Sequence, residues 1–167
     1  MVSYIDLSFE GIYFFIIKKS IYLLHMESVP YDKRSGKIWF NGKTVDWKDA
    51  NIHILNHGLH YASCVFEGER VYDGEIFRLA EHTERLFYSA ERMDMKIPYT
   101  QDQVNEACKA IVEKNSIIDG YLRPIAWRGA EMMGVSAQST KINLAIAVWE
   151  WPSYFAVSYT HLRAHET

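Results

Sequence analysis

Apolar and polar residues alternate in two stretches that each contain a short turn. In residues 37–47, the runs Ile38-Trp39-Phe40 and Thr44-Val45 flank Asn41-Gly42. In residues 64–79, a longer alternating run is interrupted by Asp73-Gly74. Both dipeptides tolerate the positive φ angles of two-residue hairpin turns. The pattern therefore predicts two β-hairpins.

Two helices are predicted to follow the hairpins. The first runs from His82 to Met95 and has Leu86, Ala90 and Met93 on one stripe. The second begins at the capping box Thr100-Gln101-Asp102-Gln103, in which the Thr and Gln side chains each satisfy a backbone N–H. Behind this box, apolar residues recur at helical spacing: Val104, Ala107, Cys108, Ile111 and Val112. That spacing predicts that the cysteine in this group is a core residue.

Two further strands are predicted after the helices. One runs from Tyr121 to Trp127, following Asp119-Gly120, and the other from Ile142 to Trp151. The second is apolar on both faces, which is typical of a central strand. Hairpins, then helices, then strands indicate an α+β fold.

Composition excludes several classes of protein. The chain is 49% hydrophobic and 23% charged, as globular domains are, and its net charge of −3 argues against a nucleic-acid-binding protein. The apolar runs near the start are far shorter than the ~20 residues of a membrane span. Two cysteines, Cys64 and Cys108, do not form a disulfide framework, and they fit a reducing compartment, the cytoplasm. The aromatic content of 14% suggests a pocket for a flat or apolar ligand.

The two ends of the chain differ in composition from its middle. Residues 1–25 hold apolar runs interrupted by Lys18-Lys19, and a segment of ordinary composition begins at Met26. We expect residues 1–25 to be non-native upstream translation, the alternative being a helix that packs on the domain. Residues 156–167 resemble a translated sequencing adapter, so we expect a non-native tail there. The domain itself is then expected over residues 26–155.

Three histidines, His53, His57 and His60, have a spacing that can bind a metal on a helix. Their apolar neighbours favour a strand-to-turn passage instead, in which this spacing no longer places the rings on one face. We therefore predict structural histidines and no metal site. The motifs of P-loop, dinucleotide-binding and classical hydrolase proteins are absent from the sequence.

Two arginines are the remaining candidates for chemistry. Arg85 lies early in the predicted first helix, where it can bind an anion together with the helix dipole, or can be a solvated residue paired with Glu81 or Glu84. Arg123 lies two residues after Tyr121, so both side chains share one face of the predicted strand. They face either a ligand carboxylate or, on an edge strand, solvent.

Six motifs between residues 37 and 155 resemble, in order and spacing, those of branched-chain amino acid aminotransferases, which are pyridoxal phosphate enzymes of fold type IV. They are Ile38-Trp39-Phe40-Asn41-Gly42, His57-Gly58-Leu59-His60-Tyr61, Val65-Phe66-Glu67-Gly68, Glu81-His82-x-x-Arg85-Leu86, Tyr121-Leu122-Arg123-Pro124 and Met133-Gly134-Val135. The resemblance implies the small N-terminal domain of that fold, an antiparallel-rich sheet with two helices. It implies a parent enzyme that transfers an amino group between leucine, isoleucine or valine and 2-oxoglutarate.

Alternatives to this function come from two directions. A D-amino acid aminotransferase or an aminodeoxychorismate lyase has the same fold, although Pro124 after Tyr-x-Arg separates the branched-chain group from both. A stand-alone ligand-binding or interaction domain without catalysis is the alternative from a different class.

The resemblance also implies a role for individual residues. Arg85 matches the arginine that binds the cofactor phosphate. Tyr121 matches a tyrosine beside the substrate carboxylate, and Arg123 the arginine that accepts the side-chain carboxylate of glutamate. The remaining matches are walls of the apolar side-chain pocket, Phe66, Trp151 and Tyr154, and two residues that reach a neighbouring subunit in a homo-oligomer, Tyr61 and Val135.

One part of the family pattern is missing. The lysine that forms a Schiff base with pyridoxal 5'-phosphate follows this region in the family, and none of the ten lysines here lies in a matching context. We therefore predict that this chain contains no catalytic residue, is inactive alone and does not retain the cofactor. The parent enzyme is expected to use that cofactor with amino acid and 2-oxo acid substrates.

Overall fold

The computed structural model describes residues 29–151. The expectations for residues 1–25, residues 156–167 and Tyr154 lie outside this range. The chain divides into two units, Met1–Arg34 and Ser35–Thr167. In the described part of the first unit, a 3-10 turn spans Tyr31–Lys33 and the Arg34 guanidinium lies 3.9 Å from the Tyr31 ring centroid. Everything below concerns the second unit.

The described part of the second unit is one antiparallel sheet with helices packed on it, which confirms the predicted α+β fold. The sheet has the strand order β2-β1-β7-β6-β4-β5, and β3 also pairs with β6. In this region no helix has both the length and the apolarity that a bilayer span requires. The elements in chain order are β1 (Lys37–Phe40), β2 (Lys43–Asp46), a 3-10 turn (Trp47–Asp49), α1 (His57–Tyr61), β3 (Cys64–Phe66), β4 (Glu69–Tyr72), β5 (Glu75–Ile76), α2 (Leu79–Arg92), α3 (Gln101–Lys114), β6 (Gly120–Arg128) and β7 (Ile142–Glu150).

Both predicted hairpin turns are present. Asn41 and Gly42 have φ angles of +48° and +85°, and Asp73 and Gly74 have +50° and +79°, as a turn with two left-handed residues requires. The first turn joins β1 to β2, and the second joins β4 to β5. Local turn chemistry therefore determines both reversals of the chain.

The strand before the second turn is divided, which the sequence pattern did not predict. Its two parts, β3 and β4, pair with β6 in one continuous register, Phe66 opposite Ile125 and Glu69 opposite Leu122. Pro124 lies opposite the gap and accepts a hydrogen bond from the Glu67 N–H at 3.0 Å. Because proline has no N–H to donate in return, the ladder is interrupted there without a change of register.

The second predicted helix is confirmed in detail. The Thr100 hydroxyl accepts from the Gln103 N–H at 3.2 Å, and the Gln103 side chain accepts from the Thr100 N–H at 2.9 Å. The five apolar residues predicted to form its buried stripe are buried, Cys108 completely.

The first predicted helix begins and ends earlier than expected. It starts at Leu79, after Arg78 in the left-handed conformation, and ends at Arg92. Leu86 and Ala90 are buried as predicted, but Met93 lies beyond the helix end and is 42% exposed, so its assignment to the stripe was wrong. Thr83 completes the buried stripe instead.

The strand-to-turn passage predicted around the histidines is wrong, because α1 begins at His57 with Asn56 as its N-cap. The buried His57 ring contacts the Ser63 hydroxyl at 2.7 Å and the Gly134 carbonyl at 3.2 Å, and His60 contacts the Ile54 carbonyl at 2.9 Å. The described residues contain no group of three side chains placed to hold a metal ion. The histidines therefore fasten α1 to its surroundings.

The two faces of the sheet differ in what covers them. Helices α2 and α3 pack on one face over a core that includes Val71, Leu122 and Ile146. On the other face, a smaller cluster forms around Ile38, Trp127 and Ala145. We call this second face, turned away from α2 and α3, the open face.

Candidate functional site

An aromatic cluster lies on the open face where β6 and β7 meet. The Tyr121 ring centroid is 5.1 Å from that of Trp149 and 5.4 Å from that of Trp151. The Arg123 guanidinium lies 4.3 Å from the Phe66 ring centroid and donates a hydrogen bond from Nη2 to the Tyr121 hydroxyl at 3.0 Å. The structure thus brings together four of the residues that the sequence analysis selected for substrate binding, Phe66, Tyr121, Arg123 and Trp151.

The register of the strands explains this cluster. Tyr121 pairs with Arg70 on one side and Trp149 on the other, so all three side chains point to the open face. Gly68 lies beneath the tyrosine, and a Cβ there would collide with the Tyr121 hydroxyl oxygen. Since β6 has neighbours on both sides, the alternative that Tyr121 and Arg123 lie in solvent on an edge strand is wrong.

The arrangement can bind a carboxylate among apolar groups. Arg123 is half-buried against rings, and its Nε–H has no hydrogen-bond partner among the described residues. A guanidinium binds a carboxylate through two parallel hydrogen bonds, and the interaction strengthens where water is excluded. Next to it, a mainly apolar cavity of about 300 Å³ has Arg123, Phe40, Ile52 and Leu59 among its lining residues.

Arg85 lies elsewhere, in the middle of α2 rather than early in a helix, so the predicted action with the helix dipole is not available to it. It does not pair with Glu81 or Glu84 either. Its Nε and Nη2 atoms each donate to a different oxygen of Glu67 at 2.7 Å. Glu67 points towards α2, whereas the aromatic cluster lies on the open face. The side-chain contacts that Arg85 makes within residues 29–151 therefore go to Glu67 and His82 and not to that cluster.

The Glu67 carboxylate is the electrostatic centre of this second group. It is 5% exposed, and burial alone would raise its pKa. Hydrogen bonds from Arg85 and from His82, whose Nδ1 lies 2.9 Å away, outweigh that effect and hold the pKa of Glu67 below its usual value. The same pairing raises the pKa of Arg85. The Arg85 side chain remains 63% exposed, so the ion pair leaves part of the guanidinium accessible to an anion.

Tyr61 and Val135 lie in a third place. The Tyr61 hydroxyl donates to the Met133 carbonyl at 3.0 Å, and the Tyr61 ring stacks on His57 at 4.4 Å. Val135 follows two residues later and is 86% exposed. The His57 N–H bonds to the Gly129 carbonyl, so this patch adjoins the far end of β6, about 25 Å along the strand from Tyr121.

Sequence reasoning missed several residues of these groups. Strand alternation counted from Phe66 would have placed Gly68 and Arg70 on the open face, where the Arg70 guanidinium donates to the Trp151 carbonyl at 3.3 Å. Nothing in the local pattern indicates that Glu67 and His82 contact each other or Arg85, because 15 and 18 residues separate Glu67 from its two partners.

Comparison with known proteins agrees with this fold. The family model for class IV amino-transferases matches residues 64–166. The branched-chain-amino-acid aminotransferase of Pseudomonas aeruginosa is 47% identical over 125 residues, which are 72% of this chain and 41% of that protein. The crystal structure of the Escherichia coli branched-chain amino acid aminotransferase superposes with a TM-score of 0.70 at 35% identity, covering 75% of this chain and 43% of that one. The branched-chain enzyme of T.th. with pyridoxamine 5'-phosphate gives 0.71 at 38% identity, with the same coverage. The chain therefore spans about two-fifths of the length of these relatives.

Proposed function

The chain belongs to the class IV aminotransferase family, and from that premise we propose that the protein of which it forms part transfers an amino group between leucine, isoleucine or valine and 2-oxoglutarate. The relatives described above are named branched-chain aminotransferases, which supports these substrates over D-amino acids or aminodeoxychorismate. Residues 26–155 are proposed to form the small N-terminal domain.

The observation that supports this function is the position of Arg123 among aromatic rings. A branched-chain transaminase must accept an apolar side chain and the acidic side chain of glutamate in one site. Phe66 and Trp151 offer apolar walls, and Arg123 with the Tyr121 hydroxyl offers donors for a carboxylate. One site with both kinds of surface can bind the two substrates in turn.

Membership of the family implies pyridoxal 5'-phosphate, and the donor set here fits one part of it. Arg85 is a permanently charged and largely exposed fork of donors, and its Nη1 makes no hydrogen bond within residues 29–151. Arg85 would hold the cofactor phosphate. When bound, the cofactor supplies the electron-withdrawing ring on which amino-group exchange depends. A single arginine is a weak site, so the 167-residue chain alone is expected neither to retain the cofactor nor to be active.

Two further proposals concern assembly and location. Tyr61 and Val135 are exposed and far from the aromatic cluster, which fits residues that reach a neighbouring subunit's pocket in a homo-oligomer. Cys64 and Cys108 are both free thiols, which fits an enzyme of the cytoplasm.

Substitution of Arg123 in the full-length protein tests the function. For Arg123→Ala we expect kcat/KM for glutamate and 2-oxoglutarate to fall by about 10- to 100-fold, because a charged hydrogen bond is worth ~1.5–3 kcal/mol. The value for leucine should change by less than about threefold, since its side chain makes no ionic contact. Arg92→Ala, on the exposed surface of α2, is the matched control. Equal losses for leucine and glutamate, or preferential turnover of D-alanine, would contradict the proposal.

A further inference from the structure

We propose that Glu67 is a positioning residue that, together with His82, fixes the orientation of the Arg85 guanidinium for a phosphate group. This inference rests on the proposed function, in which Arg85 holds the cofactor phosphate. It assigns a purpose to a buried carboxylate that the substrate site does not use.

The geometry around Glu67 is that of a fixed anchor. Both of its oxygens accept from Arg85 at 2.7 Å, and one of them also contacts His82 Nδ1 at 2.9 Å. The carboxylate is almost wholly buried, and its backbone N–H is bonded to Pro124 in the middle of the sheet. The carboxylate therefore has little freedom to turn, and neither does a guanidinium bound to it through two parallel hydrogen bonds.

Arg85 needs such an anchor because it is exposed. Its side chain is 63% accessible and extends from the helix surface, where an unpaired arginine samples many rotamers. Glu67 uses the Nε and Nη2 edge of the guanidinium, and the rigid plane then determines where Nη1 points. A phosphate that binds this donor does not have to order the side chain first.

Charge and geometry make opposite predictions for Glu67. A carboxylate beside an anion site repels a phosphate dianion, so by charge alone its removal should strengthen phosphate binding. If Glu67 acts by positioning Arg85, its removal should weaken phosphate binding instead. The sign of the effect therefore identifies the role.

The experiment uses the full-length protein freed of cofactor, titrated with pyridoxal 5'-phosphate and separately with pyridoxal, which lacks the phosphate. The ratio of the two dissociation constants isolates the phosphate contact. For Glu67→Gln we expect the preference for the phosphorylated form to fall by about 2- to 10-fold, the cost of ordering one long side chain, with the affinity for pyridoxal unchanged. The unchanged affinity for pyridoxal also shows that the variant is folded. His82→Asn should lower the preference in the same direction by less.

Two further variants complete the test. Glu84→Gln removes the same charge from an exposed position next to Arg85 and should leave the preference unchanged or slightly increased. Arg85→Ala should abolish most of the preference. If it does not, the phosphate role of Arg85 fails and the inference fails with it. If Arg85→Ala lowers the preference while Glu67→Gln leaves or raises it, only the positioning role is overturned. Should Glu67→Gln not fold, an unchanged preference in His82→Asn overturns the positioning role by itself.

Discussion

Replacing Glu69 with methionine should remove a strong pH dependence from the free energy of unfolding. The Glu69 side chain points from β4 into the core beneath the helices and is completely buried. Neither of its oxygens has a hydrogen-bond partner among the described residues. Burial, and after it the charge of Glu67, raise the pKa of Glu69 from the usual 4.5 to about 8, while the charge of Arg85 opposes the change only in part.

The sign of the effect follows from which state holds the proton. Below pH 4.5 the folded and unfolded chains both carry it, and above about pH 8 neither does. In between, the unfolded chain ionises while the folded chain keeps the proton, so the free energy of unfolding falls as the pH rises. At ~1.4 kcal/mol per pH unit the whole interval amounts to about 5 kcal/mol, of which about 3 kcal/mol fall between pH 5 and pH 7.5. A domain has only about 5–15 kcal/mol of stability in total.

Urea unfolding of the 167-residue chain, followed by circular dichroism at pH 5, 6, 7 and 7.5, measures this directly. The stability of Glu69→Met relative to the unsubstituted chain should grow by about 3 kcal/mol across that range. Glu113→Met, which removes an exposed glutamate from α3, should not change the pH profile. If the unsubstituted chain and Glu69→Met lose stability in parallel between pH 5 and pH 7.5, Glu69 does not hold its proton in the folded state and the reasoning is wrong.

Two other substitutions test the packing around the site and the core. Gly68→Ala puts a methyl group where the Tyr121 hydroxyl lies and should displace that ring, lowering glutamate turnover in the full-length enzyme by about tenfold. The matched Gly134→Ala, whose added Cβ would meet no atom closer than 3.9 Å, should be close to neutral in the same assay. Leu86→Ala should lower the free energy of unfolding by about 2–5 kcal/mol, since the side chain is fully buried. Met93→Ala, predicted from sequence to be equivalent, should cost less than about 1 kcal/mol in urea unfolding because Met93 lies outside the helix.

Features that neighbouring residues determine were predictable from the sequence. The turns at Asn41-Gly42 and Asp73-Gly74 depend on two residues each, and the start of α3 on Thr100 and Gln103. The division between β3 and β4 was not predictable in the same way. It arises from Pro124, which belongs to another strand and comes into register with Glu67 only when the sheet forms.

The same distinction separates the two arginines of the candidate site. Arg123 and Tyr121 share a face because they are two residues apart in one strand, so their contact follows from strand geometry alone. Arg85 is oriented by Glu67, which lies 18 residues away on the sheet beneath the helix. An ion pair of this kind depends on how α2 packs across the strands, and the exposed glutamates nearer in sequence were the more obvious partners. The buried one is bonded because its desolvation must be compensated, whereas an exposed carboxylate gains little from pairing. A search for the partner of a functional arginine should therefore begin with buried acids across the sheet rather than with neighbours on its own helix.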